Sequence, residues 1–370
     1  MRPFTVTVGL LLALVVVVNS LAALDRQRQD RRTREAAAAF RPGLAMPFEG
    51  YVDERRFQEA RLAVIPRPRR VAFGSSRVRD VSSELVGAAP GEFYNLGMSA
   101  ATVEDYIALW SLLKRRGKVP EAAIFSIDVW TFSHTHEQVR WLALAPEVTR
   151  FLDAAGAGPG AWWLPAQEAG YWWLSAREFF SYTVLRESIR DLQRGVAGRR
   201  RRGDDLVEAL ARGLVPEGEI AGRQGIRADG SVMRSTPARE PTVADLRAEA
   251  SRYVASGAYA LEGFRWDAER AMWLDLLWRD MRGQGVRLLA YMPPYHPTAW
   301  ELLRGDPGHA AAVETSGAFL RGLADRTGTR FLDLSDPASI PCAAHEFYDA
   351  HHARPACLGR IFERLRSASP

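Results

Sequence analysis

Three residues of types that together perform nucleophilic catalysis stand far apart in this sequence, namely Ser76, Asp349 and His352. A serine hydroxyl becomes a nucleophile when a base lies within hydrogen-bonding reach and a third group fixes the tautomer of that base. The Asp-x-x-His spacing lets the Asp349 carboxylate contact Nδ1 of His352 while Nε2 faces the serine. We therefore predict that Ser76 attacks, His352 acts as general base and then acid, and Asp349 orients His352.

The elements that must position these residues follow an alternating pattern. Short apolar runs bounded by turn residues alternate with amphipathic stretches, which predicts an α/β fold of the flavodoxin-like, three-layer type with a five-stranded parallel sheet. In such sheets, ligands bind beyond the carboxyl ends of the strands. Ser76 follows the first predicted strand, and Asp349 and His352 follow the last. The predicted strands are residues 70–73, 92–96, 121–128, 286–292 and 329–334, and the main predicted helices are 103–116, 266–282, 310–325 and 355–365.

Further residues fall at the same predicted edge. The turn after the first strand brings Ser76 to a helix N-terminus, where its backbone N–H can stabilise an oxyanion. Gly97 lets the backbone approach that point closely, so its N–H is the second predicted oxyanion donor. Candidate substrate contacts at this edge are Asn95, Asp128, Trp130 and His296.

Three short motifs resemble blocks of the SGNH (GDSL-like) hydrolase superfamily. Gly74-Ser75-Ser76 is similar to its Gly-Asp-Ser block, with Ser75 replacing Asp. Asn95-Leu96-Gly97 resembles the second block, and the segment 347–352, followed by Pro355, matches the final Asp-x-x-His block. The resemblance covers the sheet core, about 69–132 and 286–365, and implies an ester-cleaving serine enzyme without a metal or organic cofactor.

The third block departs from the family pattern. The family has Gly-x-Asn-Asp there, and the Asn is an oxyanion donor, whereas this chain has Asp128 after Ser126 and Ile127. An ionised carboxylate cannot donate a hydrogen bond. Loss of one oxyanion donor typically costs about 10²–10³ in rate, so slow or specialised catalysis is expected.

Gly-Ser-Ser-Arg and Asp-x-Trp, with one apolar N-terminal segment, look like a membrane-anchored subgroup. It resembles the exported proteins that accompany membrane-bound O-acyltransferases in the modification of cell-envelope polymers. The resemblance implies an acylated polysaccharide or another envelope polymer as substrate and a membrane-bound O-acyltransferase as a partner. With water as acceptor the reaction is ester hydrolysis, and with a sugar hydroxyl it is acyl transfer. The alternative is a non-catalytic accessory protein that binds the polymer or the acyltransferase.

The N-terminus determines the predicted compartment. Residues 5–24 are apolar and uncharged, about the 20 residues that one membrane-spanning helix needs, so 1–24 is a signal anchor or a cleaved signal peptide. The arginines at 26–34 would hold the following chain in the cytoplasm by the positive-inside rule. The resemblance instead implies a periplasmic domain, anchored, or secreted if the signal is cleaved. We predict a stalk and linker over 25–68 and one domain over 69–370, with a partly helical insertion at about 133–265 that lacks strand alternation.

Composition and the positions of charged residues, histidines and cysteines indicate which partners and cross-links to expect. The net charge is +5 and hydrophobic residues make up 47% of the chain, as in an ordinary globular protein. The densest basic run, 199–202, lies between glycines and lacks the aromatic residues of a nucleic-acid surface, so no nucleic-acid partner is predicted. His134 and His136 lie near Glu137 without a third spaced ligand, which is typical of a surface loop and not of a metal site. Cys342 and Cys357 flank the Asp349–His352 pair, either as a disulfide or as two unrelated thiols.

Overall fold

The computed structural model describes residues 13, 15–18, 20, 35–47, 53–134, 138–158, 189, 214–220, 224–234, 240–255 and 261–367. Within these residues, no helix combines the length and the apolar character needed to cross a membrane. Most of the apolar segment 5–24 lies outside the described residues, as do both Trp-Trp pairs of the insertion and the basic run 199–202.

A parallel sheet of five strands forms the centre of the fold. Its strands lie in the spatial order β3-β2-β4-β8-β9, and every neighbouring pair is parallel. The prediction of an α/β protein with a five-stranded parallel sheet is confirmed; the first strand is one residue longer than predicted and the other four are shorter. The strands are β2 (Arg70–Gly74), β3 (Phe93–Asn95), β4 (Ala122–Ser126), β8 (Arg287–Met292) and β9 (Arg330–Asp333).

Both faces of this sheet are buried, which explains why its central strands are almost wholly apolar. Successive side chains of a strand point to opposite faces. On one face Phe73 and Phe125 stack with their ring centroids 4.8 Å apart. On the other face Ala72 and Ile124 belong to a separate apolar cluster, which includes residues of the C-terminal helix. The sheet is therefore packed between two layers, and this packing fixes the positions of the carboxyl ends of its strands.

The four helices whose bounds were predicted are found to within a few residues, at Val103–Arg115, Ala268–Gly283, Pro307–Thr327 and Pro355–Ser367. The described helices are α1 (Glu54–Val64), α2 (Val103–Arg115), α3 (Ala145–Ala154), α4 (Val243–Ala255), α5 (Ala268–Gly283), α6 (Pro297–Leu303), α7 (Pro307–Thr327) and α8 (Pro355–Ser367). Thr102 is the N-cap of α2, and its backbone N–H donates a hydrogen bond to the Asp105 carboxylate. Gly328 ends α7 at φ 60°, a left-handed conformation that favours glycine.

A second, antiparallel sheet joins residues of the predicted linker to residues of the predicted insertion. Its order is β5-β1-β6-β7, from β1 (Leu44–Pro47), β5 (Val215–Pro216), β6 (Gly225–Arg227) and β7 (Val232–Met233). Residues of the predicted linker 25–68 thus pair with residues of the predicted insertion 133–265. Strands of two to four residues are too short to carry a readable alternation of polar and apolar positions, so the sequence pattern missed them.

Helix α1, also within the predicted linker, is tied to the main domain by a buried ion pair. Arg55 donates from Nε and Nη2 to the two carboxylate oxygens of Asp105 at 3.0 and 2.8 Å. Their side chains are 2% and 0% exposed. A charge this deeply buried is tolerated only when it is paired, so the segment from α1 onward is part of the folded body and not a free stalk.

Candidate active site

The turn that carries Ser76 begins at the carboxyl end of β2. A side chain on Gly74, the last residue of the strand, would place its Cβ 2.9 Å from Val78 Cγ1 and 3.0 Å from the Ser126 carbonyl oxygen. Because that space is filled, the chain turns sharply here only with glycine. The turn leaves Ser76 half-buried at the edge of the sheet, as the sequence predicted.

The loop that follows β9 brings Asp349 and His352 to Ser76. Nε2 of His352 lies 2.8 Å from Oγ of Ser76, and Nδ1 lies 2.6 Å from Oδ2 of Asp349. The other carboxylate oxygen, Oδ1, accepts the backbone N–H groups of His351 and His352 at 3.0 and 2.7 Å. The three predicted catalytic residues are therefore in contact, in the order that a nucleophile, its base and an orienting carboxylate require.

The charge on Asp349 is well stabilised. Burial alone would raise the pKa of its carboxyl group, but the charge and hydrogen bond of His352, together with His351, outweigh burial and hold that pKa well below its usual range. Asp349 is therefore ionised at neutral pH, and it fixes the proton of His352 on Nδ1. Nε2 is then free to accept the hydroxyl proton of Ser76.

A disulfide joins Cys342 and Cys357 at the base of this loop, with the two Cα atoms 5.3 Å apart. Of the two alternatives that the sequence left open, the structure has the disulfide. It closes a loop whose ends are 15 residues apart and which contains both Asp349 and His352. Such a cross-link restricts the conformations that the unfolded loop can adopt.

The predicted oxyanion donors have different surroundings. The Gly97 N–H donates to the side-chain oxygen of Asn95 at 2.8 Å. This hydrogen bond already occupies the predicted oxyanion donor, so that prediction is corrected. Asn95 is also corrected as a substrate contact, since it is fully buried and its amide nitrogen donates to the Val78 and Val81 carbonyls. Within the described residues, no acceptor is found for the Ser76 N–H, which leaves it open to an oxyanion.

Asp128, which stands in place of a donor asparagine, is the counter-ion of a buried arginine. Its Oδ1 accepts from Nη1 of Arg77 at 3.1 Å, and the two side chains are 0% and 2% exposed. The prediction that Asp128 contacts substrate is therefore corrected. The carboxylate is needed where it is because an arginine charge at this depth requires a partner.

Replacement of Asp128 by asparagine restores the residue of the family block but is expected to weaken the protein. The variant leaves the Arg77 charge buried without a compensating charge, and breaking a buried pair in this way typically costs about 3–5 kcal/mol. Urea unfolding of Asp128→Asn beside the wild type measures the loss. An unchanged free energy of unfolding would show that Asp128 is not needed as a structural counter-ion.

Two further predicted substrate contacts lie in the interior. Trp130 is 1% exposed and belongs to the main apolar core, so a substrate cannot reach it without unfolding. His296 is 4% exposed and caps α6, with its Nδ1 accepting the Thr298 N–H at 3.1 Å. Both predictions are corrected, because these two side chains are buried and leave no surface for a substrate to contact.

Several residues at the site carried no recognisable sequence signal. Arg234, from the predicted insertion just after β7, donates to the Ser76 carbonyl oxygen at 2.8 Å and to Asp80 at 2.7 Å. Glu249 of α4 accepts the Ala350 N–H at 3.0 Å, beside the Asp349–His352 pair. Sequence separations of about a hundred residues or more hide such contacts, so the insertion supports the site in ways that no local pattern indicates.

His351, the neighbour of the predicted base, is buried and does not contact the serine. Its ring packs against Tyr253 with centroids 5.1 Å apart, and Nδ1 lies 3.3 Å from Glu249 without hydrogen-bonding geometry. Burial, followed by the charge of His352, lowers its pKa well below 6.5. The histidine that contacts Ser76 is therefore His352, the residue that the Asp-x-x-His spacing predicts as the base.

One group of side chains has the spacing of a cation site. The ligand atoms of Asp349, His351 and His352 lie within 4.8 Å of one another. Both ring nitrogens of His352, however, already contact Asp349 and Ser76, so the arrangement suits proton transfer better than coordination. Of the predicted loop with His134, His136 and Glu137, only His134 is described, and it lies 3.8 Å from Asp267.

A buried histidine behind the site predicts acid sensitivity. His309 is 0% exposed, and burial lowers its pKa from 6.5 to about 4. As pH falls below 6.5 the unfolded chain takes up this proton first, so stability is complete above pH 6.5 and is lost as pH falls toward 4. The difference corresponds to about 3 kcal/mol.

This contribution is measured by urea unfolding between pH 7 and pH 4. His309→Phe, which keeps the edge contacts with Tyr295 and Trp300, should flatten the pH dependence, whereas His345→Gln at an exposed position should not. Parallel curves for wild type and His309→Phe would refute the assignment.

Comparison of the whole chain with protein-family models and with curated proteins finds no match.

Proposed function

We propose that this chain is a serine esterase or O-acyltransferase that acts on acyl esters of cell-envelope polymers through an acyl-serine intermediate. The single observation that carries the proposal is the continuous contact from Asp349 through His352 to Ser76, with distances of 2.6 and 2.8 Å. This is the mutual geometry that a nucleophile, its base and the group that orients the base require. The resemblance of the blocks at 74–76, 95–97 and 347–352 to SGNH hydrolases supports the same reaction.

The chemistry follows from the positions of the protons. His352 takes the Ser76 proton at Nε2 as Oγ attacks the ester carbonyl carbon, and Asp349 stabilises the resulting imidazolium. The same proton passes to the departing alcohol oxygen, which leaves the acyl group on Oγ. Water or a sugar hydroxyl then attacks that acyl group while His352 takes its proton; the bond between the acyl group and Oγ breaks, and His352 returns the proton to Oγ of Ser76. The Ser76 N–H is the donor open to the oxyanion, so turnover slower than that of a complete oxyanion hole is expected.

The finer fold assignment belongs to the same proposal. Counted along the chain, the five parallel strands have the spatial order 2-1-3-4-5, which is the order of flavodoxin-like sheets. Apolar clusters on both faces of the sheet support a three-layer sandwich. We assign the chain to the flavodoxin-like type for these reasons.

The envelope setting rests on the apolar segment 5–24 and on the disulfide. A single apolar N-terminal segment is typical of a signal anchor or signal peptide, and disulfides persist in oxidising compartments such as the periplasm. A reporter enzyme that is active only outside the cytoplasm, fused after the last residue, tests this part. Activity of a cytoplasm-dependent reporter at the same position would contradict it.

A non-catalytic accessory role has one specific observation in its favour. The Gly97 N–H is engaged by Asn95, and Asp128 cannot donate, so two of the oxyanion donors known from the family pattern are missing. Such a protein would bind an acylated polymer or a membrane-bound O-acyltransferase without turnover. The contact between His352 and Ser76 has no purpose in that role, so we favour the enzyme.

The experiment uses the purified full chain with a chemically O-acetylated polysaccharide. Released acetate reports hydrolysis, and acetyl groups that appear on an added unacetylated oligosaccharide report transfer, both by proton NMR. Acetate or acetylated acceptor that forms in proportion to enzyme supports the proposal. Polymer binding without either product, by a folded protein, would establish the accessory role instead.

A further inference from the structure

A buried guanidinium lies directly behind the site. Arg77 follows Ser76 in the chain, its side chain is 2% exposed, and its Cζ lies 4.3 Å from the ring centroid of Tyr295. A guanidinium offers five N–H donors in a fixed plane, so it can hold several acceptors at defined angles. The site residues described above do not use this group for the reaction, although it is the nearest cation in sequence to the nucleophile.

The acceptors of Arg77 come from three separate parts of the fold. Nη1 donates to Asp128, just beyond β4, at 3.1 Å. Nη2 donates to the carbonyl oxygens of Pro293 and Pro294, just beyond β8, at 3.0 and 2.6 Å. Nε donates to the carbonyl oxygen of His351 at 2.9 Å. One side chain thus joins two strand ends to the loop that carries the base.

The hydrogen bond from Arg77 to the His351 carbonyl oxygen lies next to the contact between His352 and Ser76. Ser76 and His352 are 276 residues apart in sequence, so their 2.8 Å contact depends on how two distant loops are held together. Arg77 is the residue after Ser76, and His351 is the residue before His352. Their hydrogen bond therefore joins the same two loops one residue away from the reacting atoms.

The pair with Asp128 keeps this arrangement charged and fixed. An unpaired arginine would not remain at this depth, and Asp128 supplies the opposite charge where the family block has an asparagine. The departure at Asp128 and the Arg in Gly-Ser-Ser-Arg are thus two halves of one contact. Asp128 therefore pairs with Arg77 at the position where the family block has an asparagine that donates a hydrogen bond.

We propose that Arg77 is a positioning residue that sets the distance between His352 and Ser76 by holding the His351 carbonyl oxygen. The inference rests on the proposed function, since the distance matters only if the serine reacts. It assigns to Asp128 an indirect part, because Asp128 holds the guanidinium plane. Misplacement of a catalytic group by about 1 Å can cost about 10²-fold in rate.

The test compares Arg77→Met and Arg77→Lys with the wild type on a small ester. Methionine keeps the length but has no donor, and lysine keeps the charge without the planar fork. We expect Arg77→Met to lose about 10- to 100-fold in kcat with little change in KM. Arg77→Lys should recover part of the loss. The downfield proton NMR signal of the His352–Asp349 hydrogen bond should broaden in Arg77→Met.

Arg55→Met is the matched control, because Arg55 is equally buried and is also paired with a buried carboxylate, that of Asp105. It should lower thermal stability while kcat and the downfield signal stay as in the wild type. If both variants lose activity only in proportion to unfolding, with the signal intact in the folded fraction, the positioning role is overturned. Wild-type kcat in Arg77→Met overturns it too.

Two outcomes separate this inference from the proposed function. If Arg77→Met does not fold, Arg77→Lys decides, and a folded Arg77→Lys with wild-type kcat and NMR signal contradicts the inference. If the wild type itself is inactive, the proposed function fails. The NMR signal of His352 then still tests the positioning, since an unchanged signal in the Arg77 variants would show that Arg77 does not hold this loop.

Discussion

Replacement of Ser76 by alanine is expected to lower kcat on a small activated ester by about 10⁴- to 10⁶-fold. The reason is that Oγ of Ser76 is the atom 2.8 Å from Nε2 of His352, and alanine leaves the base with no proton to take. Residual turnover would come from binding and the remaining backbone donor. Initial rates with 4-nitrophenyl acetate, at equal concentrations of folded protein, measure the effect.

Ser75→Ala is the matched control for this prediction. Ser75 is 1% exposed and its Oγ accepts a hydrogen bond from the backbone N–H of Arg77 at 3.2 Å. Loss of one such hydrogen bond costs about 1 kcal/mol, which is less than tenfold in rate. Equal turnover by Ser76→Ala and the wild type would mean that the nucleophile is another residue.

Asp349→Asn is expected to lower kcat by about 10⁴-fold although the shape of the site is kept. Oδ1 of Asp349 accepts two backbone N–H groups, so an asparagine keeps its oxygen there and turns its NH₂ toward Nδ1 of His352. Nδ1 must then accept, which places the ring proton on Nε2. A protonated Nε2 cannot take the proton of Ser76.

Nitrogen NMR of the His352 ring measures this change of tautomer directly, alongside kcat. Asp333→Asn is the control, since Asp333 also accepts a backbone N–H and a hydroxyl, those of Ser335, but away from the catalytic loop. It should keep wild-type kcat. A neutral His352 with its proton still on Nδ1 in Asp349→Asn, or an undiminished rate, would contradict the role of Asp349 as orienter.

The central sheet and the proximity of the three candidate site residues could be predicted from the sequence for one physical reason. Buried parallel strands read as continuous apolar runs, as in Ala122–Ser126, and their carboxyl ends meet at one edge whatever the intervening chain does. Ser76 and His352 follow two such strands, so their proximity could be inferred before any distance was known. The Asp-x-x-His spacing supplied the third residue.

The rest of the site depends on contacts that no local pattern encodes. The engagement of Gly97 by Asn95 is a turn geometry that the motif alone does not indicate. Arg77 and Asp128 are 51 residues apart, and their pairing follows from the packing of two strand ends. The burial of Trp130 and His296 likewise depends on loops beyond the strands.

The second sheet was not predicted because its strands form through pairing with distant segments and not through the strand propensity of their own residues. Leu44–Pro47 has a proline at its end, and Val215–Pro216 is two residues long. Neither reads as a strand by itself. They form one because β1 pairs with β5 on one side and β6 on the other, across more than a hundred residues of sequence.

The central claim, that Ser76 is an activated nucleophile, is tested most directly by covalent labelling. The full chain is incubated with a fluorophosphonate probe, digested, and the modified peptide identified by mass spectrometry, with Ser76→Ala in parallel. The contacts of Ser76 with His352 and of His352 with Asp349 predict one phosphonylated site, at Ser76, and none in the variant. A folded wild type that remains unlabelled, or one labelled at another residue, would contradict the assignment.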